Sequence, residues 1–217
     1  MISERIKTLA ALVPPAKSLA DVGCDHGYLL VEAFQKYGLD YAVAIDNKEL
    51  PLKNARDNLK RYPFFSQIRF SLSDGLEDLK EEVEAIVIAG MGGILITQIL
   101  KEGLTKHREA KYIFQANRNL YELRRFLYEE KMEIASEKII FEDGQYYEII
   151  VSKAAKKPLV YTEADLIFGP VLRRTKPPLF LEKLKAEILR ISEIDHPDIK
   201  MKIKRIEEEL YENKHNH

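Results

Sequence analysis

A single cysteine, Cys24, and no tryptophan occur among the 217 residues. One thiol cannot close an internal disulfide, and its solitude rules out a cysteine-rich zinc site. Flanked by a glycine turn, Cys24 reads as a small packing residue rather than a nucleophile. The five histidines are scattered, with His215 and His217 at the very end, so no metal site is expected. No apolar run approaches the roughly 18 residues that cross a bilayer. Met1-Ile2-Ser3-Glu4-Arg5-Ile6 lacks both the basic start and the apolar centre of a secretion signal. A cytoplasmic protein without membrane contact is therefore expected. Strong charge of one sign is also missing, because 34 Lys+Arg stand against 35 Asp+Glu. A net charge of −1 supplies no overall attraction to nucleic acid, so any such contact must come from local clusters.

What is present is 46% hydrophobic residues with 32% charged ones, which suits one well-buried α/β domain plus a small appendage. Ser3 can cap a first helix with Ile6, Leu9, Ala10 and Val13 on one face, ended by Pro14-Pro15. Strand and helix patterns then alternate. Strands end at Gly23, Asp46 and Leu72, a fourth runs Ala85–Ala89 and a fifth Tyr112–Gln115. Helices are expected over about Gly27–Tyr37, Lys48–Arg61, from Gly93 to Lys101, and over Asn119–Glu130. Such alternation predicts a parallel sheet with right-handed crossovers. Ile134–Phe141 and Tyr146–Val151, joined through Glu142-Asp143-Gly144-Gln145, break the rhythm and read as an antiparallel hairpin at one edge. Beyond Lys156-Lys157-Pro158, Leu181, Leu184, Ile188 and Ile191 form one helical stripe and Ile199, Ile203, Ile206 and Leu210 another. The short His196-Pro197 break makes a two-helix coiled coil the economical arrangement, either as a protruding arm or packed on the sheet. The division expected is a domain over 1–155 and a helical arm over 156–217.

Leu19-Ala20-Asp21-Val22-Gly23-Cys24-Asp25-His26-Gly27-Tyr28 carries the most chemistry. An apolar strand runs into a glycine turn that opens directly into a helix. There free amides face whatever sits above the sheet, and Gly27 lets strand and helix approach closely. Asp46 ends the second strand about 20 residues further on, where a carboxylate can accept both hydroxyls of a ribose. Asp74, in Ser73-Asp74-Gly75, stands at the same sheet edge after the third strand. Each acid has a bland alternative: Asp46 as a helix cap, Asp74 as a turn residue. Acids at three strand ends together point to a nucleotide-like ligand.

A glycine turn after strand one, an acid after strand two, another after strand three and a closing hairpin resemble a class I S-adenosylmethionine-dependent methyltransferase. More narrowly, Asp21-Val22-Gly23-Cys24-Asp25-His26-Gly27-Tyr28, Asp74-Gly75-Leu76, Ala89-Gly90-Met91-Gly92-Gly93 and Glu142-Asp143-Gly144 resemble the bacterial TrmK family. That family comprises tRNA (adenine(22)-N1)-methyltransferases. The resemblance covers nearly the whole chain, including Phe168-Gly169-Pro170. Two departures from common methyltransferase patterns are Asp25 at a usual glycine position and the absence of an Asn/Asp-Pro-Pro-Tyr turn after strand four. The second argues against methylation of an exocyclic amine.

The resemblance implies an α/β, Rossmann-like seven-stranded methyltransferase sheet with a C-terminal α-helical coiled-coil hairpin, and S-adenosyl-L-methionine as cofactor. It implies that Gly23 and Gly27 frame the methionine end of the cofactor, Asp46 its ribose and Asp74 its adenine amino group with Gly75 giving backbone access, and that Asp21, His26 and Asn47 are further cofactor-binding residues. Gly90, Met91 and Gly92 would form the floor between cofactor and target base, with Ala89, Gly90 and Met91 counted among the cofactor contacts, and Asp25 and His26 would border the transferred methyl group as catalytic candidates. N1 of adenine has a free lone pair at neutral pH, so positioning supplies much of the catalysis. Asp25 can stabilise the charge that alkylation creates, or else hydrogen-bond within its own loop. With tRNA as partner of a monomeric enzyme, candidate phosphate contacts are Arg5 and Lys7, then Arg118, Arg124 and Arg125, then Arg173, Arg174 and Lys176. A small-molecule methyltransferase and a non-catalytic RNA-binding scaffold remain open as alternatives. A nucleotide-dependent dehydrogenase ranks last, because Asp25 would repel a pyrophosphate.

Overall fold

The computed structural model describes residues 2–211; His215 and His217 lie outside the described residues. The elements in order are α1 (Glu4–Ala11), β1 (Ser18–Val22), α2 (Tyr28–Tyr37), β2 (Tyr41–Asp46), α3 (Glu49–Leu59), β3 (Ile68–Leu72), β4 (Ala85–Gly92) and α4 (Gly93–Gly103). They continue with β5 (Lys111–Arg118), α5 (Leu120–Glu129), β6 (Met132–Glu142), β7 (Gln145–Ala154), α6 (Glu163–Phe168), α7 (Pro170–Thr175), α8 (Pro178–Ile191) and α9 (Pro197–Tyr211). Ser3 caps α1 as expected, its Oγ accepting from the Ile6 N–H at 3.3 Å. β4 and β5 each run past the ends expected at Ala89 and Gln115, because pairing resumes beyond an irregularity at Gly90.

Seven strands form one sheet in the order β3-β2-β1-β4-β5-β7-β6. β1 to β5 are parallel, and β7 runs antiparallel to both β5 and β6. The central strands are apolar on both faces, as a sheet covered on each side by helices requires. Ala20, Val22, Val43, Ile45, Ile86 and Ile88 face α4 and α5, while Leu19, Ala42, Ala44, Ala85 and Val87 face α1, α2 and α3. The chain leaves β1 for β2 on one side and reaches β4 on the other. The carboxyl ends of β1 and β4 therefore open a crevice at the switch point, where ligands of such sheets bind.

α8 and α9 pack together in antiparallel sense, since Glu187 pairs with Lys202 at 2.6 Å while Lys176, before α8, donates to the Glu209 carbonyl near the end of α9. They do not stand free of the sheet. Phe180, Leu184, Ile191 and Ile206 share a buried cluster with Ile139 of β6 and with Phe168 and Leu172. The two short helices α6 and α7 at this joint were not anticipated, although Thr162-x-x-Asp165 forms a reciprocal capping box that opens α6.

Arg124, expected among the RNA contacts, is instead fully buried in this joint. Its guanidinium donates to Glu137 Oε1 at 2.9 Å, to the Ile167 carbonyl at 3.1 Å and to Glu148. Glu137 also accepts the Val171 and Leu172 amides at 2.8 and 3.2 Å, and Glu148 accepts from Lys183 of α8. Burial alone would raise both acids. Lys183 and Arg124 nevertheless hold Glu148 below the usual carboxylate range.

Candidate active site

The loop after β1 is tied to β2 and to itself. The Gly23 and Cys24 amides both donate to the Ile45 carbonyl, at 2.8 and 3.1 Å, and the Gly27 amide closes on the Cys24 carbonyl at 2.7 Å. Gly23 has φ +79°, and a Cβ there would lie 2.4 Å from Met91 Cε. The methionine near the end of β4 therefore crosses directly over the glycine turn, whose left-handed backbone favours a residue without a side chain. Asp25 also takes a left-handed backbone, φ 38°, which short polar residues tolerate better than others. Its side chain remains 68% exposed.

Two cavities meet at Gly23, Asp25 and Met91. The larger, about 530 Å³, is walled by α1 on one side and includes Asp21, His26, Tyr28 and Gly90. The smaller, about 220 Å³, lies over the ends of β2 and β3 and includes Asp46, Asn47, Asp74 and Gly75. Asn47 Nδ2 donates to Asp74 Oδ1 at 3.2 Å, joining the two strand ends. Asp46 Oδ1 accepts the Lys48 amide at 3.0 Å, so part of its capacity serves the start of α3. Asp21 is buried beneath the larger cavity. Burial, reinforced by the negative charge of Asp46, pushes its carboxyl up to about 7. Burial likewise raises the Cys24 thiol, an inert packing residue. The His26 ring stacks on Tyr28 with centroids 5.6 Å apart, and His26 Nε2 lies 3.7 Å from Asp25 Oδ1.

Asp21, Gly23, Asp25, His26, Ala89, Gly90 and Met91 thus converge on the larger cavity. Gly27 is set back from both, against Leu59 of α3. Arg5 does not face outward as a phosphate contact would. Its Nη1 donates to Gln115 Oε1 at 3.3 Å inside the larger cavity, and its guanidinium lies 4.9 Å over the Tyr147 ring. Arg173 is likewise drawn into the fold, paired with Asp165 and Glu209 at 2.6 Å each. Arg125 pairs with Glu129 at 2.8 Å on an exposed face, while Arg118 and Arg174 are exposed. Reasoning from sequence missed Gln115 and Tyr28. A glutamine in the apolar run of β5 was the available signal for the first.

A Rossmann-like sheet whose last strand is reversed, with a glycine turn at the switch point and acids at successive strand ends, defines an S-adenosylmethionine-dependent methyltransferase. Gly90 supports the fit to that cofactor: its missing side chain leaves open space on the wall of the larger cavity, with nothing within 4 Å of where a Cβ would stand. A family model described as TrmK, tRNA (adenine(22)-N(1))-methyltransferase, matches residues 19–215, and the chain belongs to this family. It is 34% identical over 193 residues to the tRNA (adenine(22)-N(1))-methyltransferase of Bacillus subtilis, across 86% of this chain and 81% of the relative. Among solved structures it is similar to Streptococcus pneumoniae Sp1610 in complex with S-adenosyl-L-methionine, at 33% identity and TM-score 0.91, covering 97% of this chain and 100% of that one. It is also similar to M. capricolum TrmK in complex with S-adenosyl-homocysteine, at 28% identity and TM-score 0.86, covering 97% and 98%. Among the described residues there is no cluster of His, Cys, Asp or Glu able to hold a metal, and no helix long and apolar enough to cross a membrane.

Proposed function

We propose that the two cavities divide the methylation of N1 of adenine 22 in tRNA between them. The smaller receives the nucleoside half of S-adenosylmethionine, with Asp46 accepting from the ribose and Asp74 and Asn47 at the adenine. The larger receives the methionine half over Asp21 and, beside it, the target base. The observation that carries this division is the meeting of both cavities at Gly23, Asp25 and Met91. S-adenosylmethionine supplies an electrophilic methyl group on a sulfonium. Adenine N1 offers its lone pair without prior deprotonation, so the protein needs no general base for the step. Its work is alignment and charge. Met91 and Gly90 set the height of the base, His26 and Tyr28 flank it, and Asp25 faces the positive charge that N1 alkylation places on the ring.

Opening the D arm to expose N1 costs a few kcal/mol, which contacts elsewhere must offset. Arg118, Arg125 and Arg174 serve as phosphate contacts in this reading, with Arg205 of α9 beside the cleft that Arg118 lines. Arg173 supports that face through Asp165 and Glu209 without touching RNA. A monomer working in the cytoplasm, divided near residue 155, completes the proposal. Incubation with labelled S-adenosylmethionine and unmodified tRNA, followed by mapping of the product, should place 1-methyladenosine at position 22. A methyl group on another nucleotide, or none, refutes the reading.

A further inference from the structure

The ladder between β4 and β5 is interrupted beside the cavity. Ala89 pairs with Gln115 and Met91 with Ala116, so Gly90 is an extra residue in β4 with no opposite partner. A bulged residue loses its ladder bonds, and its N–H and C=O must find other partners when they are shielded from water. Side chains of β5 replace the ladder here. The Gly90 N–H donates to Gln115 Oε1 at 3.2 Å, Gln115 Nε2 donates to Asn117 Oδ1 at 2.9 Å, and Asn117 Nδ2 donates to the Gly90 carbonyl at 2.8 Å. The three bonds close a ring that leaves neither amide free to reverse. Turning Gln115 over would set its NH₂ against both the Gly90 N–H and Arg5, which shares Gln115 Oε1.

The ring acts on the one peptide of β4 that is both left-handed, φ +78°, and exposed on the cavity wall. The residue after it is Met91, which crosses the glycine turn and borders both cavities. Gln115 is fully buried, whereas Asn117 is exposed at the other end of the ring. Beyond it the register shifts again, since Met91 pairs with Ala116 and Gly92 with Arg118, which leaves Asn117 without a partner in β5 as Gly90 is in β4. An exposed side chain that adds little to burial, yet fixes both polar groups of the cavity-wall peptide, has its consequence in geometry rather than in stability.

We propose that Gln115 and Asn117 are positioning residues for methyl transfer: they hold the Gly90 bulge so that Gly90 and Met91 stay at the height the acceptor base requires. Arg5 ties α1, the opposite wall of the cavity, to the same ring. The inference rests on the reading of the larger cavity as the place of methyl transfer.

The test uses the full chain, with Asn117→Ala and the isosteric Asn117→Asp, which keeps the acceptor for Gln115 but loses the donor to Gly90. Single-turnover methylation of tRNA should fall at least about tenfold in both variants, since sub-ångström misplacement of reacting groups is costly. Dissociation constants for S-adenosylmethionine and tRNA should stay within about threefold of wild type, the pattern of an interaction realised only in the transition state. Melting temperatures should move by only about 2 °C, as for other exposed substitutions. Unchanged rates, parallel losses in rate and cofactor affinity, or failure of both variants to fold would overturn the positioning role. A wild-type protein that transfers no methyl group to tRNA would refute the underlying reading instead, which keeps the two failures apart.

Discussion

Replacing Asp21 by asparagine should expose an electrostatic cost that the free enzyme carries for its cofactor. The carboxyl is displaced from its ordinary 3.8 to about 7, first by burial and then by Asp46. At 1.36 kcal/mol per pH unit this amounts to about 4 kcal/mol, an upper bound for a buried group. Because the folded value is raised above the unfolded one, the contribution to stability is fully present below about pH 4. It is lost as pH climbs through about 7, where the fold must hold a buried anion. The carboxamide of Asp21→Asn has the shape of the protonated acid and no such proton to lose. The unfolding free energy of wild type minus that of the variant, from urea titrations between about pH 4 and 8, should fall by up to about 4 kcal/mol across the window. Titrating groups remote from Asp21 cancel in the difference, and only those coupled to it, Asp46 first, do not. In the proposed placement a cationic ammonium above Asp21 would restore the carboxylate, so cofactor binding near pH 7 should release a proton from wild type and none from Asp21→Asn. Calorimetry in two buffers of different ionisation enthalpy reads this directly. A stability difference flat with pH, together with equal proton release from both proteins, would refute the argument.

Asp46→Ala should weaken S-adenosylmethionine binding by about tenfold to over a hundredfold, from the loss of charge-assisted bonds worth roughly 1.5 to 3 kcal/mol each. Stability should fall by only about 1 kcal/mol, for the lost Lys48 amide bond; an unchanged dissociation constant would leave Asp46 a partner of the Lys48 amide alone. Arg124→Ala should destabilise by about 3–5 kcal/mol in urea unfolding, because Glu137 and Glu148 would remain buried without their shared cation. A loss below about 1 kcal/mol would show that water or Lys183 takes over its role.

The legible parts of this protein were local in sequence. The glycine turn, Asp46 and Asp74 each lie at the end of an apolar run, and a parallel sheet places such ends on one edge whatever the remainder of the chain does. Arg124 was illegible because its partners are supplied by β6, β7 and the end of α6, brought in only by tertiary packing. Beside exposed Arg125 on a charged helix, nothing in the sequence sets it apart. Arg5 was misjudged for a related reason, since α1 turns that side chain inward onto Gln115. The Gly90 bulge was hidden because a two-against-one pairing is a property of two strands together. The expected arm was readable from its two apolar stripes, but its root on Ile139 was not, since β6 shows the same alternation as any half-buried strand.

The joint around Arg124 seats the helical pair on the sheet as one body, because parting them would take the Val171 and Leu172 amides from Glu137 and Lys183 from Glu148, and would open the apolar cluster of Ile139, Phe180 and Leu184 to water. A stiff body has a fixed span. In the proposed reading, an RNA held on the face of Arg118 and Arg205 would deliver a base to the cavity only if its own folded shape matched that span, so the molecule would act as a caliper. Selection would then rest on the distance from the held backbone to the D arm, with little need to read the intervening sequence.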